Sequence, residues 1–451
     1  MIGINTRPVV NSFVSGRHTV YSVSFYNVED NRAHYKKSII SGNYNLKIDN
    51  YNEDKLLQLS EEYVDAVDAV VICSGLFENE KSKTPDWNTI GNPPKVIKRI
   101  NNKKYTIGKL ERLGIPVPIT YIAYNHQSAE KYIHSLERAI LKPIYGSGGK
   151  GIIYMDEYSI NIDILKKITY PILVQEYIPS ESYSATLLNS YFICFNKQLI
   201  KNNGYVGNIT PYNLNSGNYK NYSFADGCFG GMDNKNMENN IIKNANNINI
   251  NKINIKNIKS IKNNDKLIKT KNGKKYNTYI KIDKNNKSIN YFNNAKHIKG
   301  IFSEIGENFD LKGLNSVDFM IKDNIPYAIE INPRIPGTYE TLELSSNCNL
   351  ANGILKGLKI KPKKTYFKKV VFAKERCIFK NKIINNYNIR DIPKKNTIIE
   401  KNEPICTLVG SSIHQIYSAE KILKMVVVKN VINKGRNIYH VGKSIGSTGF
   451  T

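Results

Sequence analysis

The sequence predicts a mixed α/β and α+β chain in three parts. An open N-terminal α/β layer spans 1–94, a central α+β body 95–365, and a strand-rich segment 366–451. Three observations predict this: a β-α-β pattern at the N-terminus, a strand–glycine turn–strand run at 139–154, and a pair of apolar strands bearing oxygen ligands at 315–334.

In the first part, Thr19 to Phe25 alternates as a strand, with Tyr21, Val23 and Phe25 on one face and Ser22 and Ser24 on the other. Asn52 to Val67 places Leu56, Leu57, Leu59 and Tyr63 at near-helical spacing, and Ala69 to Cys73 reads as a buried parallel strand ending in Ser74-Gly75. Asn92-Pro-Pro94 breaks the chain. Lys95 to Leu113 then reads as one helix closed by Gly114, where a C-cap glycine belongs, and Ile115-Pro-Val-Pro118 reads as a returning strand.

Next, Ala139-Ile-Leu-Lys142-Pro leads into Gly146-Ser147-Gly148-Gly149-Lys150-Gly151 and a second apolar run. Glycines let backbone N–H groups approach phosphate oxygens without side-chain clash. A lysine behind two apolar strand residues is costly to bury unless it meets an anion, so Lys142 is a candidate phosphate ligand and Lys150 a second. The loop is neither a Walker A sequence nor the opening of a helix in a dinucleotide fingerprint. Pro171 to Pro179 reads as a strand entering a hinge (Gln175, Glu176, Tyr177, Ile178), whose extended backbone can bind an adenine edge. Gly204-Tyr-Val-Gly207-Asn208-Ile-Thr210 is another polar glycine turn, read either as an ordinary hairpin or as an acceptor-site loop.

The strongest feature is the hairpin. Val317, Phe319 and Ile321 share one face and Asp318 takes the other; Glu330 and Asn332, two apart, share a face on the second strand. One register brings all three oxygens together as ligands for a hard cation such as Mg²⁺, which is usually shared between a few carboxylates and substrate phosphates. Arg334 follows and can clamp a phosphate or carboxylate bidentately.

Taken in order, the glycine loop, the Gln-Glu-Tyr-Ile hinge and the Asp…Glu-x-Asn-Pro-Arg hairpin resemble the ATP-grasp superfamily over roughly residues 95–345. The Ile4-Asn-Thr-Arg-Pro8 start and the C-terminal segment resemble archaeal proteins described as predicted ATP-dependent carboligases related to biotin carboxylase. The resemblance implies an ATP-grasp fold preceded by an α/β domain, and ATP with Mg²⁺ (or Mn²⁺) as cofactors. It also implies activation of a small-molecule carboxylate as an acyl-phosphate for attack by an amine. Catalytic roles fall to Arg334 and Lys142, and metal ligation to Asp318, Glu330 and Asn332. Nucleotide contacts fall to Lys103, Lys142, Gly146, Ser147, Gly148, Gly149, Lys150, Gln175, Glu176, Tyr177 and Ile178, with Ser182 standing where family members carry a ribose-binding acid. Thr6, Arg7 and Glu78 are candidates to face substrate, and a homodimer is expected because relatives form them. Asp391-Ile-Pro393 and Glu403 to Thr407 resemble the closing β-domain of biotin carboxylases, which leaves bicarbonate activation as an alternative reaction. No Met-Lys-Met biotinylation motif is present.

Composition limits the other classes. No run of about 18 apolar residues is present, so no membrane span is expected. The N-terminus has no signal pattern. Six cysteines without CxxC pairs fit reduced thiols in a cytoplasmic protein and argue against a zinc site. The seven histidines form no nucleophile-base-acid pattern. The net charge of +27 invites a nucleic-acid reading, but Met232 to Gly300 holds 16 lysines against four acids. That Asn/Lys/Ile-rich stretch reads as a solvated low-complexity insertion at 232–299 rather than a nucleic-acid arm.

Overall fold

The protein is described by a computed structural model covering residues 1–40, 45–146, 148–149, 151–201, 204–214, 295–380 and 388–429. Most of the low-complexity stretch, with its isoleucines 248–261, lies outside the described residues, as do Ser147 and Lys150. Contacts divide the chain into Met1–Gly217 with Phe292–Thr451, and Asn218–Tyr291; the architecture below is that of the first unit.

The N-terminal layer is parallel. Strands β1 (Ile2–Gly3), β2 (Tyr21–Ser24) and β3 (Tyr35–Ser38) pair in that order, with helix α1 (Arg7–Ser15) as the first crossover. Ile72 bridges to Ile2 in parallel on the other side, and Val70 in turn bridges in parallel to Thr89 beyond it. Ser22 and Ser24 are buried along with Val23, as befits a strand covered on both faces. Two residues, β4 (Asn45–Leu46), then leave this layer. Helix α2 (Glu53–Val64) starts at Asn52, whose side chain accepts a hydrogen bond from the Lys55 N–H.

The predicted single helix over 95–113 is two helices, α3 (Pro94–Asn101) and α4 (Lys103–Arg112). Asn102 breaks them: its backbone is extended and its side chain accepts from the Tyr105 N–H, because asparagine competes for local backbone donors and favours caps. Gly114 closes α4 at φ 70° as expected. Residues 115–118 do not form a strand; two prolines remove the donors a ladder needs, and only the Pro116 carbonyl bonds across, to the Ala328 N–H. Strands β5 (Thr120–Ala123), β6 (Arg138–Pro143), β7 (Ile153–Asp156) and β8 (Ile172–Glu176) form an antiparallel sheet in the order β5-β8-β6-β7, joined by α5 (His126–Leu136) and α6 (Ile162–Lys167). Ala123, Ala129, Ile133, Leu141, Met155 and Val174 make its core.

The second sheet has eight strands. β9 (Ser182–Leu188), β10 (Tyr191–Lys201) and β11 (Gly204–Thr210) are followed by α7 (Ala295–Asn308), then the hairpin β12 (Leu314–Lys322) and β13 (Ile325–Asn332), then α8 (Tyr339–Ser346) and α9 (Leu350–Leu355). The chain continues through β14 (Tyr366–Phe372), β15 (Cys377–Phe379), β16 (Ile389–Arg390), β17 (Ile398–Ile399), β18 (Pro404–Gly410), α10 (Ile413–Val426) and β19 (Val427–Lys429). The sheet order is β13-β12-β9-β10-β11-β14-β18-β16, so strands after 366 extend the central sheet rather than standing apart. A small sheet, β19-β15-β17-β4, ties the C-terminal strands to the N-terminal layer. Val317, Phe319, Ala185, Leu187 and Phe195 on one sheet face pack against Ile298, Phe302, Ile305 and Phe309 of or near α7. Among the described residues no helix is long and apolar enough to cross a membrane.

Candidate active site

The hairpin turns at Asp323 and Asn324, both in the left-handed region (φ 51° and 64°), the residue types that tolerate it. This register sets Asp318 directly opposite Glu330 and Ser316 opposite Asn332. The Asn332 amide nitrogen donates to Asp318 Oδ2 at 3.1 Å, and Gln198 Nε2, two strands away on β10, donates to Asp318 Oδ1 at 2.9 Å. The three predicted oxygen ligands therefore meet. Burial, reinforced by the nearby Glu330 carboxylate, pushes Asp318 up to about 7 despite Arg334 and the two amides.

Two lysines face these carboxylates. Lys142, near the end of β6, is 4% exposed; burial pushes its amine down to about 8, Lys103 adds to that, and Glu330 opposes it. Lys103 opens α4. Its Nζ lies 3.4 Å from Glu330 Oε1 and donates to the Gly146 carbonyl, while its own N–H donates to Ile144 O at 3.0 Å. The Asn102 amide donates to the Tyr145 hydroxyl at 2.9 Å. The helix break thus aims Lys103 and pins the base of the glycine loop in one local arrangement. Within that loop Gly146, Gly148, Gly149 and Gly151 all take positive φ (67° to 118°), which exposes backbone N–H groups in a way side-chain-bearing residues resist.

The hinge residues lie on the neighbouring sheet. Gln175 is buried and its amide donates to Thr120 Oγ1 at 2.8 Å. The Glu176 carboxylate accepts from Lys322 Nζ at 2.7 Å and from the Ile119 N–H at 3.3 Å, which fastens the hairpin turn to the hinge. Both side chains are thus spent on structure, and what the hinge can offer a ligand is backbone. Tyr177 meets Tyr154 edge-on with centroids 5.1 Å apart, and Ile178 is buried. Ser182 opens β9 opposite Met320. Beside it, Glu181 pairs with the buried Lys197 and accepts from the Tyr183 hydroxyl at 2.6 Å.

Arg334 Nε donates to Glu78 Oε1 at 2.7 Å, and that oxygen also accepts the Gly75 N–H. Burial works against the guanidinium's charge, but Glu78 outweighs it and Arg334 is held more firmly protonated than usual. The expectation that Thr6 and Arg7 face substrate fails. Thr6 is fully buried against Ser22, and Arg7 is 1% exposed. Arg7 donates through both terminal nitrogens to Glu340 (2.5 and 2.9 Å) and through Nε to Asp391 (2.9 Å). An arginine can be buried only if matched this way, and acids supplied by distant segments were invisible in the sequence. Asn102 and Gln198 were missed because no local pattern marks them.

Comparison with known proteins bears on the family and the fold. The family model of the ATP-grasp domain matches residues 100–228 and 240–338. An uncharacterized protein of Methanocaldococcus jannaschii is 37% identical over 427 residues, 92% of this chain and 90% of that one. A tetrahydromethanopterin:alpha-L-glutamate ligase of the same organism is 42% identical over 62 residues, 14% of this chain and 21% of that one. Among solved structures, the fold matches phosphoribosylamine–glycine ligase of Thermotoga maritima (TM-score 0.57, 14% identity, covering 94% and 96% of the two chains). It also matches the biotin carboxylase domain dimer of Hydrogenobacter thermophilus 2-oxoglutarate carboxylase, solved with MgADP and bicarbonate (TM-score 0.58, 13% identity, covering 93% and 87%). The chain belongs to the ATP-grasp family.

Proposed function

We propose that the protein is an ATP-dependent ligase that converts a small-molecule carboxylate to an acyl-phosphate and joins it to an amine. The observation that carries this reading is the pair Asp318 and Glu330, directly opposed on the hairpin and faced by Lys142 and Lys103 at the base of a glycine loop. Opposed carboxylates with a strongly raised Asp318 want a cation, and lysines at a glycine loop want phosphate. The donor set is hard oxygen, and with its nitrogen turned to Asp318 the Asn332 amide keeps its carbonyl oxygen for a ligand. Asp318, Glu330 and Asn332 would hold Mg²⁺ or Mn²⁺, which when bound neutralises charge on the β- and γ-phosphates.

In this reading the substrate carboxylate oxygen attacks the γ-phosphorus and the β–γ bridging P–O bond breaks, its electron pair leaving with ADP. Lys142 and Lys103 neutralise the transferring charge, and Arg334 orients the carboxylate. The nitrogen lone pair then attacks the acyl carbon, the C–O bond to phosphate breaks, phosphate leaves with that electron pair, and the nitrogen gives up a proton to water. Adenine would sit on the backbone of Glu176 and Ile178, between Tyr177 and the loop, and ribose near Ser182 or Glu181.

The test is ADP release from MgATP over a panel of amino acids and amines, with and without bicarbonate. Glu330→Gln is expected to lower ADP formation by about 10²–10³-fold with an unchanged melting temperature. Wild-type turnover by that variant, or no ADP from the native protein across the whole panel, would refute the assignment.

A further inference from the structure

The run 204–210, expected from its glycines as a polar turn, is instead strand β11, held between β10 and β14. It carries one end of a buried hydrogen-bond chain that the nucleotide site does not account for and whose direction can be deduced. The Thr338 backbone carbonyl can only accept, and the Thr341 hydroxyl donates to it at 2.9 Å. Thr341 Oγ1 has then used its proton, so the Asn208 group 2.8 Å away must be the donor, its amide nitrogen. The same nitrogen donates to Thr210 Oγ1 at 2.7 Å, and Thr210 passes its proton to Asn196 Oδ1 at 2.8 Å. Asn208 therefore turns its carbonyl oxygen toward Tyr205, and the 2.5 Å contact between them requires the phenol to donate. Asn208, Thr210, Asn196 and Thr341 are all fully buried, so none can turn to water and release the arrangement.

The consequence is a tyrosine oxygen with its proton committed. Among the described residues the Tyr205 hydroxyl makes no other hydrogen bond, and the residue as a whole is half-buried. Burial, and after it the Asp318 carboxylate, holds the phenol protonated. Its oxygen would lie 3.6 Å from a side-chain carbon placed on Gly337, three residues beyond Arg334. The oxygen thus borders the arginine loop, and its partner Asn208 stands opposite Gln198, which holds the hairpin carboxylate; the oxygen can only accept.

We propose that Tyr205 binds the acceptor: its oxygen receives an N–H of the attacking amine and turns the nitrogen lone pair toward the acyl carbon. This rests on the ligase reading and adds the side of the site that the nucleophile uses. The geometry selects a hydrogen-bond donor, which the ligase reading makes the amine, and rejects an oxyanion, because a carboxylate or bicarbonate at this point would face lone pairs with lone pairs. Tyr205 is no general base, since taking a proton would mean passing its own to an amide oxygen that cannot keep it.

Hydroxylamine serves as the probe nucleophile, with MgATP and the twenty common amino acids as carboxylate donors, following ADP and hydroxamate. Tyr205→Phe keeps the ring and removes the acceptor. It is expected to raise the half-saturating hydroxylamine concentration about tenfold, as for one lost hydrogen bond, with half-saturating ATP unchanged. The double variant Thr210→Val/Thr341→Val removes both acceptors of the Asn208 amide nitrogen and so frees that amide to flip; it is expected to weaken hydroxylamine use in the same direction, with no further loss when combined with Tyr205→Phe. No change for hydroxylamine, or an equal change for ATP, overturns the assignment. Total absence of ADP from the native protein instead fells the ligase reading and this inference with it. Independently, a crystal with MgADP grown in methylammonium formate is expected to show the methylammonium nitrogen within about 3 Å of the Tyr205 oxygen; a formate oxygen there overturns the proposal.

Discussion

Neighbouring residues of one strand, β12, serve two faces of the same eight-stranded sheet that are built on opposite principles. Val317 and Phe319 enter a dry core with Ala185, Leu187 and Phe195, where Phe319 meets Phe302 at 4.7 Å between ring centroids. Ser316 and Asp318, one residue away, belong to a face that is nearly as buried but, beyond its apolar end at Leu314 and Leu188, polar: Ser184, Asn196, Gln198, Asn208 and Thr210 span β9, β10 and β11. The apolar core on the dry face has few directional bonds to satisfy, those of Asn315 and Tyr183 lying at its ends, and answers mainly to volume. The polar face is stable because every buried amide and hydroxyl along it finds a partner, and that same requirement fixes which atoms remain to meet a ligand. Burial alone thus does not separate scaffold from site here; the chemistry of the buried atoms does.

The comparison predicts that damage will partition by face. Phe319→Ala should cost about 3–5 kcal/mol of unfolding free energy, measured by denaturant titration, while MgADP affinity well below the melting point stays within a factor of a few. A loss under about 1 kcal/mol would mean the dry face does not carry the fold. The converse is Lys142→Met, which keeps the apolar stem and removes the charge. It should weaken MgADP binding by about 10- to 100-fold in calorimetry, as for loss of one charge-assisted contact. It should also leave stability unchanged or raised, because a buried cation is removed. Destabilisation without loss of affinity would place Lys142 in the scaffold.

The smallest effect is in pH. In the free protein Asp318 sits at about 7 and Lys142 at about 8. A bound cation needs Asp318 ionised, so below about 7 a proton must first be displaced and affinity falls. Phosphate needs Lys142 charged, so above about 8 affinity falls again. MgADP affinity should therefore peak between these values and decline by up to about tenfold per pH unit on either side. Lys142→Met should flatten the alkaline limb only. A profile flat from pH about 6 to about 9 would show that neither group changes its protonation on binding.

Several parts of this were legible beforehand. Alternation along 315–334 named Asp318, Glu330 and Asn332 and placed their faces, and the glycine run named the loop. Other parts were not. Lys95 to Leu113 has continuous helical character, and nothing local says that Asn102 will take a cap and aim Lys103. Arg7 looked available because the acids that occupy it, Glu340 and Asp391, are more than 300 positions away. Gln198 reaches Asp318 only because β9 lies between their strands. The segment 366–451 read as a separate strand-rich unit, yet β14 pairs with β11 and continues the main sheet.

The sequence by itself determined what depends on covalent geometry over a few residues: the two-residue period that sorts each strand into faces, the left-handed turn at Asp323-Asn324, and the glycines of the loop. Tertiary structure decided which strands became neighbours, which acid quenched which arginine, and which way the protons point from Thr341 to Tyr205. Those outcomes turn on contacts between segments up to hundreds of residues apart. A buried polar atom's role is set by whichever partner packing delivers to it, and no local pattern carries that information.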